Sequence, residues 1–153
     1  MGSLVKNRRI KVGLVGCGRI AKSHFEAIDF YKEDLKLVAV CDVLAHVKSK
    51  YCESQNVRGY LGLKEMLSEE SLDLLVLCTP SGLHAEQAIM AAKFGINIIT
   101  EKPMATRWSD ALKMVKACDE AGVHLFVVKQ NRKNETLQYL KRAVQQKRFG
   151  KIN

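Results

Sequence analysis

Short apolar runs alternate with longer segments of helical periodicity along the chain. The apolar runs predict six strands, at residues 10–15, 35–41, 59–61, 72–78, 96–100 and 123–128. The periodic segments predict six helices, at residues 19–31, 44–52, 63–68, 83–94, 108–121 and 134–146. This regular order predicts an α/β domain with a doubly wound, mostly parallel six-stranded sheet and helices on both of its faces.

Three of the predicted helices carry apolar residues on one face, and we expect these faces to be buried. The residues are Ala21, Phe25, Ile28 and Tyr31 in the first helix, Trp108, Leu112, Val115 and Cys118 in the fifth, and Leu137, Leu140 and Val144 in the last. Asn134 is predicted to cap the last helix, because its side-chain oxygen can accept a bond from a backbone N–H of the first turn.

The composition is that of one globular domain: 153 residues, 47% of them hydrophobic and 27% charged, with a mean hydropathy of −0.11. No apolar run approaches the ~18 residues that a membrane-spanning helix needs, so no membrane partner is expected. The net charge of +9 is concentrated in residues 1–12 and 131–153, while the segment between them is nearly neutral. Residues 1–9 therefore form a basic lead, and this distribution does not indicate a nucleic-acid-binding face.

The five cysteines are odd in number and never occur in Cys-x-x-Cys spacing. Four of them lie in or beside apolar segments, where reduced and buried thiols are common. The sequence therefore predicts neither a disulfide framework nor a metal site. It indicates a reducing compartment, which favours the cytoplasm.

Gly16, Gly18 and Ala21 match the pattern G-x-G-x-x-A between the first predicted strand and its helix. The first glycine permits a tight turn, the second lets the backbone approach a pyrophosphate, and the alanine lets the helix pack closely on the strand. The phosphates would lie on the helix N-terminus, where N–H groups and the helix dipole favour anions. The predicted cofactor contacts of this turn are Gly16, Cys17, Gly18, Arg19 and Ile20.

Asp42 ends the second predicted strand, where an acid would accept hydrogen bonds from the adenosine ribose of a dinucleotide. Its carboxylate would repel a 2′-phosphate, and the next residues, Val43 and Leu44, offer no cation in compensation. The sequence therefore favours NAD over NADP. The alternative is that Asp42 only caps the following helix.

Both prolines of the chain, Pro80 and Pro103, lie just past predicted strands, at the sheet edge where open α/β folds bind ligands. The segments around them read Thr79-Pro80-Ser81-Gly82-Leu83-His84 and Glu101-Lys102-Pro103. Together with the glycine turn, they resemble the T-P-x-x-x-H and E-K-P motifs of the NAD-binding half of the Gfo/Idh/MocA oxidoreductase family. The resemblance covers residues 12–152 and implies a dinucleotide-binding Rossmann domain at residues 10–153.

The resemblance implies that Lys102 is catalytic, reaching the nicotinamide ribose and the reacting carbinol of the substrate. It also implies that Thr79, Pro80 and Glu101 line the cofactor. The Lys-Pro bond of this motif is often cis in the family, so the resemblance predicts a cis bond between Lys102 and Pro103. A lysine can take up the hydroxyl proton or stabilise the developing alkoxide as hydride leaves the carbon. The alternative for Lys102 is a solvated lysine at a strand end. For His84 the two interpretations are even: a cofactor contact, or a histidine that only packs or lies on the surface.

The sixth predicted strand ends in Val128-Lys129-Gln130-Asn131-Arg132. This resembles a V-K-Q-N-R stretch of a family branch that oxidises position 3 of UDP-N-acetylglucosaminuronate, in the synthesis of surface polysaccharides. Gln130 would then face the nicotinamide, and Arg132 would pair with an acidic group of the substrate. The alternative is a polar turn that caps the last helix.

Members of the family continue into a second domain that supplies most of the substrate site, and the sequence contains no such domain. The chain is therefore expected to be either the NAD-binding part of a sugar or nucleotide-sugar dehydrogenase, inactive alone, or a nucleotide-binding or regulatory module without chemistry of its own. A second copy of the chain is a further candidate partner.

Overall fold

Six parallel strands form one sheet in the order β3-β2-β1-β4-β5-β6 in a computed structural model, which describes residues 7–151. The strands are β1 (Ile10–Val15), β2 (Leu35–Cys41), β3 (Arg58–Tyr60), β4 (Leu74–Leu77), β5 (Asn97–Thr100) and β6 (Leu125–Val127). The predicted doubly wound sheet is confirmed. Strand order reverses between β1 and β4, and this reversal opens a crevice at the carboxyl ends of the strands.

Six α-helices connect or follow the strands: α1 (Ala21–Phe30), α2 (Ala45–Gln55), α3 (Leu63–Glu69), α4 (His84–Lys93), α5 (Trp108–Ala121) and α6 (Glu135–Gln145). A 3₁₀ turn at Gln130–Lys133 lies between β6 and α6. Within residues 7–151, no helix is both long enough and apolar enough to cross a membrane. Most of the basic lead, residues 1–6, lies outside the described residues.

The core consists of two layers, one on each face of the sheet. On one face, Phe25 and Ile28 of α1 pack with Val12 and Val76. On the other face, Met66 of α3, Ala88 of α4 and Met114 of α5 lie in one core cluster. This cluster includes the alternate β4 residues Leu75 and Leu77. Helices therefore cover both faces, as predicted.

Only Cys118 of the face predicted for α5 is buried. Met114 and Cys118 are its buried residues, whereas Leu112 and Val115 are exposed and the Trp108 side chain is 78% exposed. The buried pair lies one turn apart, on the side of α5 that packs against α4. Apolar residues occur on both sides of this helix, so hydrophobicity alone did not identify the face that has a partner.

The predicted burial of α6 is also wrong, since Leu137, Leu140 and Val144 are all exposed. The helix follows the edge strand β6, and its main neighbour is the 3₁₀ turn. Tyr31 is likewise exposed, because α1 ends at Phe30 and Tyr31 lies beyond its last turn. The predicted cap is confirmed: Asn134 Oδ1 accepts a hydrogen bond from the Leu137 N–H at 3.3 Å.

Candidate functional site

A cleft of about 520 Å³ lies at the carboxyl ends of β1, β2 and β4, at the point where the strand order reverses. Its volume is within the range of small-molecule and cofactor sites. Five of the residues predicted to bind a cofactor line it together: Gly16, Gly18, Asp42, Thr79 and Pro80. They come from three different strand–helix connections, so the fold rather than local sequence brings them together.

Gly16 forms the tight turn after β1 with a φ of +84°. A Cβ at this position would lie 2.8 Å from both the carbonyl carbon of Cys78 and the backbone nitrogen of Thr79. Any side chain would therefore meet the backbone at the end of β4, in a conformation that L-residues rarely adopt. The turn depends on glycine for both reasons.

Gly18 faces open space, since a Cβ built there would have no heavy atom within 4 Å. Within residues 7–151, the backbone N–H groups of Gly18, Arg19 and Ile20 meet no hydrogen-bond acceptor. These groups directly precede α1, whose positive dipole end points toward them. The arrangement is suited to an anion such as a pyrophosphate.

Asp42 is tied to the glycine turn by its side chain. Its Oδ2 accepts a hydrogen bond from the Cys17 N–H at 2.8 Å, and its Oδ1 accepts one from the Leu44 N–H at 2.9 Å. Helix α2 begins at Ala45 after its N-cap residue Leu44, so Asp42 bonds the residue just before the helix in addition to the glycine turn and does more than cap α2. A carboxylate offers about four acceptor positions, and at least two remain for a ligand.

An apolar wall of the cleft was missed by the sequence analysis. Leu44, Leu61, Leu63 and Leu83 line it together with Val43, whose side chain is 83% exposed. Exposed aliphatic side chains beside a polar carboxylate are suited to a flat apolar ring such as adenine. The signal for Leu61 and Leu63 was available, because β3 ends beside β2 at the same edge of the sheet.

Thr79 and Pro80 close the cleft on the side of β4. The Thr79 hydroxyl donates to Gln87 Oε1 at 2.5 Å, and Gln87 on α4 is a lining residue that the sequence analysis did not identify. His84 lies behind this wall with 1% of its surface exposed. Its Nε2 is 2.8 Å from the Thr79 carbonyl oxygen and its Nδ1 is 2.9 Å from the Pro103 carbonyl oxygen. This burial favours the packing alternative for His84.

Glu101, Lys102 and Pro103 follow β5 at the same edge of the sheet, outside the lining of the cleft. Glu101 is buried, with Oε1 2.9 Å from His24 Nε2 and Oε2 accepting the Lys102 N–H at 3.2 Å. The Lys102 side chain is exposed, and within residues 7–151 it has no hydrogen-bond partner. The Lys102–Pro103 peptide bond is cis. His24 is a further residue that sequence analysis missed.

Gln130 and Arg132 lie in the 3₁₀ turn after β6, and both are exposed. They share the ligand-binding edge of the sheet with Lys102, because β5 and β6 are parallel neighbours. Neither residue lines the cleft. The structure therefore separates the predicted residues into a cleft on the β1–β2–β4 side and an open edge beyond β5.

The thiols near the cleft are held in the protonated form. Burial, together with the charge of Asp42, raises the pKa of Cys17 to about 12 and that of Cys41 to about 11. Burial and the charge of Glu101 raise the pKa of Cys78 to about 12. All five cysteines are free thiols, and Cys52 alone among them is half-buried. Within residues 7–151, no cluster of three or more metal-ligating side chains is present.

Comparisons with known proteins agree with this geometry. The chain resembles the crystal structure of the WlbA dehydrogenase from Bordetella pertussis in complex with NADH and UDP-GlcNAcA, with 52% identity and a TM-score of 0.91 over 95% of this chain and 44% of that one. It is 32% identical to D-apiose dehydrogenase from Paraburkholderia graminis over 94% of its length and 38% of that protein. It is 27% identical to myo-inositol 2-dehydrogenase from Thermotoga maritima over 93% of its length and 42% of that protein.

The chain thus spans about two fifths of the length of these curated relatives. The sequence profile of an oxidoreductase family with an NAD-binding Rossmann fold matches residues 10–129, from the start of β1 to just past β6. The matched segment contains the glycine turn, Asp42 and the Glu101-Lys102-Pro103 segment. The chain belongs to the Gfo/Idh/MocA oxidoreductase family, of which it contains the NAD-binding Rossmann domain.

Proposed function

We propose that residues 10–153 are the cofactor domain of a dehydrogenase that transfers hydride from a hydroxyl-bearing carbon of a sugar or nucleotide-sugar to NAD. One observation carries this proposal: the open Gly18 turn and the Asp42 carboxylate lie in one cleft, beside a segment that carries an exposed lysine. The substrate-binding part of the site would come from outside this chain, as the greater length of its relatives suggests.

In this proposal the amides of Gly18, Arg19 and Ile20 hold the pyrophosphate. The remaining acceptor positions of Asp42 take the adenosine ribose diol, and the apolar wall takes the adenine. A 2′-phosphate would meet the Asp42 carboxylate at like charge, and Val43 and Leu44 supply no cation. This arrangement favours NAD as the cofactor. The backbone N–H of Cys17 holds Asp42 in place, and Thr79 and Pro80 form a wall of the same cleft.

When bound, NAD accepts the hydride. Lys102 Nζ would lie against the substrate hydroxyl, where it either accepts the hydroxyl proton or stabilises the negative charge that develops on the oxygen as the C–H bond breaks. Such an interaction is stronger in the transition state than in the ground state, so it acts on the rate more than on binding. Glu101 supports the same segment through the Lys102 N–H.

We propose an acidic nucleotide-sugar, UDP-N-acetylglucosaminuronate oxidised at position 3, as the substrate. Support comes from the 52% identity to a WlbA dehydrogenase crystallised with NADH and UDP-GlcNAcA. The exposed guanidinium of Arg132 would pair with the substrate carboxylate in a bidentate manner, and Gln130 would face the nicotinamide. Synthesis of surface polysaccharides in the cytoplasm is the setting that this substrate and the reduced thiols suggest.

The substrate proposal is tested by titrating the NADH-saturated chain with UDP-N-acetylglucosaminuronate and with UDP-N-acetylglucosamine, which lacks the carboxylate. We expect weak binding of the acid and weaker binding of the neutral sugar, with the difference lost in Arg132→Gln. Arg148→Gln is the matched control. Equal binding of both sugars by the wild-type chain would remove Arg132 from the substrate site. It would not contradict the proposal that the chain binds NAD.

A further inference from the structure

The segment that carries Lys102 is held on both sides by a histidine from a distant helix. His24 on α1 has its Nε2 2.9 Å from Oε1 of Glu101, the residue before Lys102. His84 on α4 has its Nδ1 2.9 Å from the carbonyl oxygen of Pro103, the residue after Lys102. We propose that His24, with His84 on the other side, is a positioning residue that fixes Lys102 for the reaction. This inference rests on the proposed function.

Both oxygens of the Glu101 carboxylate take part in this arrangement. Glu101 is 8% exposed, and a carboxylate buried to that extent requires partners for its oxygens. One oxygen faces His24, and the other accepts the Lys102 N–H at 3.2 Å. Glu101 therefore links His24 on α1 to the backbone of Lys102.

His84 connects the opposite side of the segment to the cleft wall. Its two ring nitrogens lie 2.9 Å from the Pro103 carbonyl oxygen and 2.8 Å from the Thr79 carbonyl oxygen. A carbonyl oxygen only accepts, so any hydrogen bond in these contacts is donated by a ring N–H. The ring is buried, so it bridges the connection after β4 to the connection after β5 without competition from water.

These contacts join the phosphate-binding turn to the Lys102 segment. Helix α1 begins directly after the glycine turn, and His24 lies in its first turn. An anion that settles on the turn therefore lies on the same rigid element that holds Glu101. The other two histidines, His46 and His124, are exposed, and their rings have no hydrogen-bond partner within residues 7–151. They serve as controls.

The test compares the affinities of the full chain for NADH and for ADP, which has the adenosine and pyrophosphate but no nicotinamide ribose. We expect His24→Leu to weaken NADH binding roughly fivefold or more and to leave ADP binding within about twofold, because only NADH reaches the Lys102 segment. His24→Gln, whose amide can donate to Glu101, should restore most of the affinity. His124→Leu should change the affinity for neither NADH nor ADP.

A double-mutant cycle then asks whether His24 acts through Lys102. In the Lys102→Ala background, His24→Leu should cost no further NADH affinity. Equal weakening of NADH and ADP by His24→Leu, or an undiminished loss in the Lys102→Ala background, would overturn the positioning role. Failure of the wild-type chain to bind either ligand would overturn the proposed function itself, and with it this inference.

Hydrogen exchange supplies a readout that needs no ligand. His24→Leu should speed exchange at the Lys102 amide, which donates to Glu101, and leave the β4 amide of Val76 unchanged. A uniform acceleration at both amides would show that His24 contributes only to global stability, and would contradict the inference.

Discussion

Asp42 Oδ2 lies 2.8 Å from the backbone nitrogen of Cys17, so the acid that follows β2 is bonded to the glycine turn that follows β1. The two predicted determinants of dinucleotide binding are therefore one structural unit. Together with the bond from the Leu44 N–H, the bond from the Cys17 N–H uses two acceptor positions of the carboxylate and leaves at least two for the cleft that Asp42 lines.

Coenzyme preference should follow from this placement. We expect the chain to bind NAD roughly tenfold more tightly than NADP, or better, because juxtaposed like charges cost several kcal/mol and a tenfold difference in affinity corresponds to about 1.4 kcal/mol. Asp42→Ala should narrow the difference between the affinities for NAD and NADP. Asp119 is exposed near the end of α5, and Asp119→Ala should leave that difference unchanged. Calorimetric titration with both dinucleotides measures it. Equal affinities in the wild-type chain would remove Asp42 from this role.

Lys102 should affect turnover far more than cofactor binding. The 153-residue chain alone is expected to bind NAD without oxidising a UDP-sugar. In an enzyme that contains this chain together with a substrate domain, Lys102→Ala should lower the rate of the chemical step by ~10² to 10⁴. Lys116→Ala, which removes an exposed lysine on α5, is the control. Near-normal turnover after Lys102→Ala would assign the proton transfer to another group.

The buried thiols should be unreactive in the folded chain. Cys17 and Cys78 have pKa values of about 12 and Cys41 of about 11, so almost no thiolate is present at pH 8. A thiol-reactive chromophore should label Cys52 first and the other four, including the buried Cys118, only on unfolding. Mass spectrometry of the labelled peptides checks the order. Rapid labelling of Cys17 under native conditions would contradict the burial of its side chain.

Acid should remove one stabilising contact at the opposite edge of the sheet. Asp73 accepts two hydrogen bonds from Arg8, at 2.6 and 2.8 Å, and one from the Lys11 N–H. The Arg8 guanidinium holds the pKa of Asp73 below its usual value. Because the folded pKa is the lower one, this stabilisation is complete above the unfolded pKa of about 3.9 and is lost as the pH falls through the folded pKa.

Asp73→Asn should therefore lower the melting temperature by a few degrees at pH 7. Its effect should begin to shrink as the pH falls below about 4, and it should disappear below the folded pKa, where the wild-type carboxyl is also neutral. Thermal unfolding from pH 7 to pH 3 measures this, with Asp34→Asn as control. A constant difference across that range would show that Asp73 acts by packing rather than by charge.

Much of the fold could be predicted because most of the strands are short apolar runs separated by segments of helical periodicity, although β3 is only Arg58-Gly59-Tyr60. Strands β1 and β2 have the predicted ends, and α5 has the predicted bounds. Strands β4 and β6 are shorter than predicted, since the ladder stops before the apolar run does. Which face of a helix is buried depends on its neighbours, and this is why the faces of α5 and α6 could not be derived from periodicity.

The site was predictable where the chemistry lies in contiguous residues. The glycine turn, Asp42 and the Thr79-Pro80 pair line the cleft as expected. His24 was missed because its partner, Glu101, is 77 residues away, and no local pattern links them. The cofactor contacts assigned to the cleft residues, the catalytic role of Lys102, and the roles of Gln130 and Arg132 all remain predictions.

Gly18→Val tests the central claim most directly. The Cβ at Gly18 would meet no protein atom within 4 Å, so the variant should keep the circular dichroism spectrum and melting temperature of the wild type. A valine side chain would, however, occupy the space that the pyrophosphate needs. We expect fluorescence titration with NADH to show saturable binding by the wild-type chain and none by folded Gly18→Val. NADH binding of unchanged affinity by the folded variant would contradict the account, because the cofactor would then not use this turn.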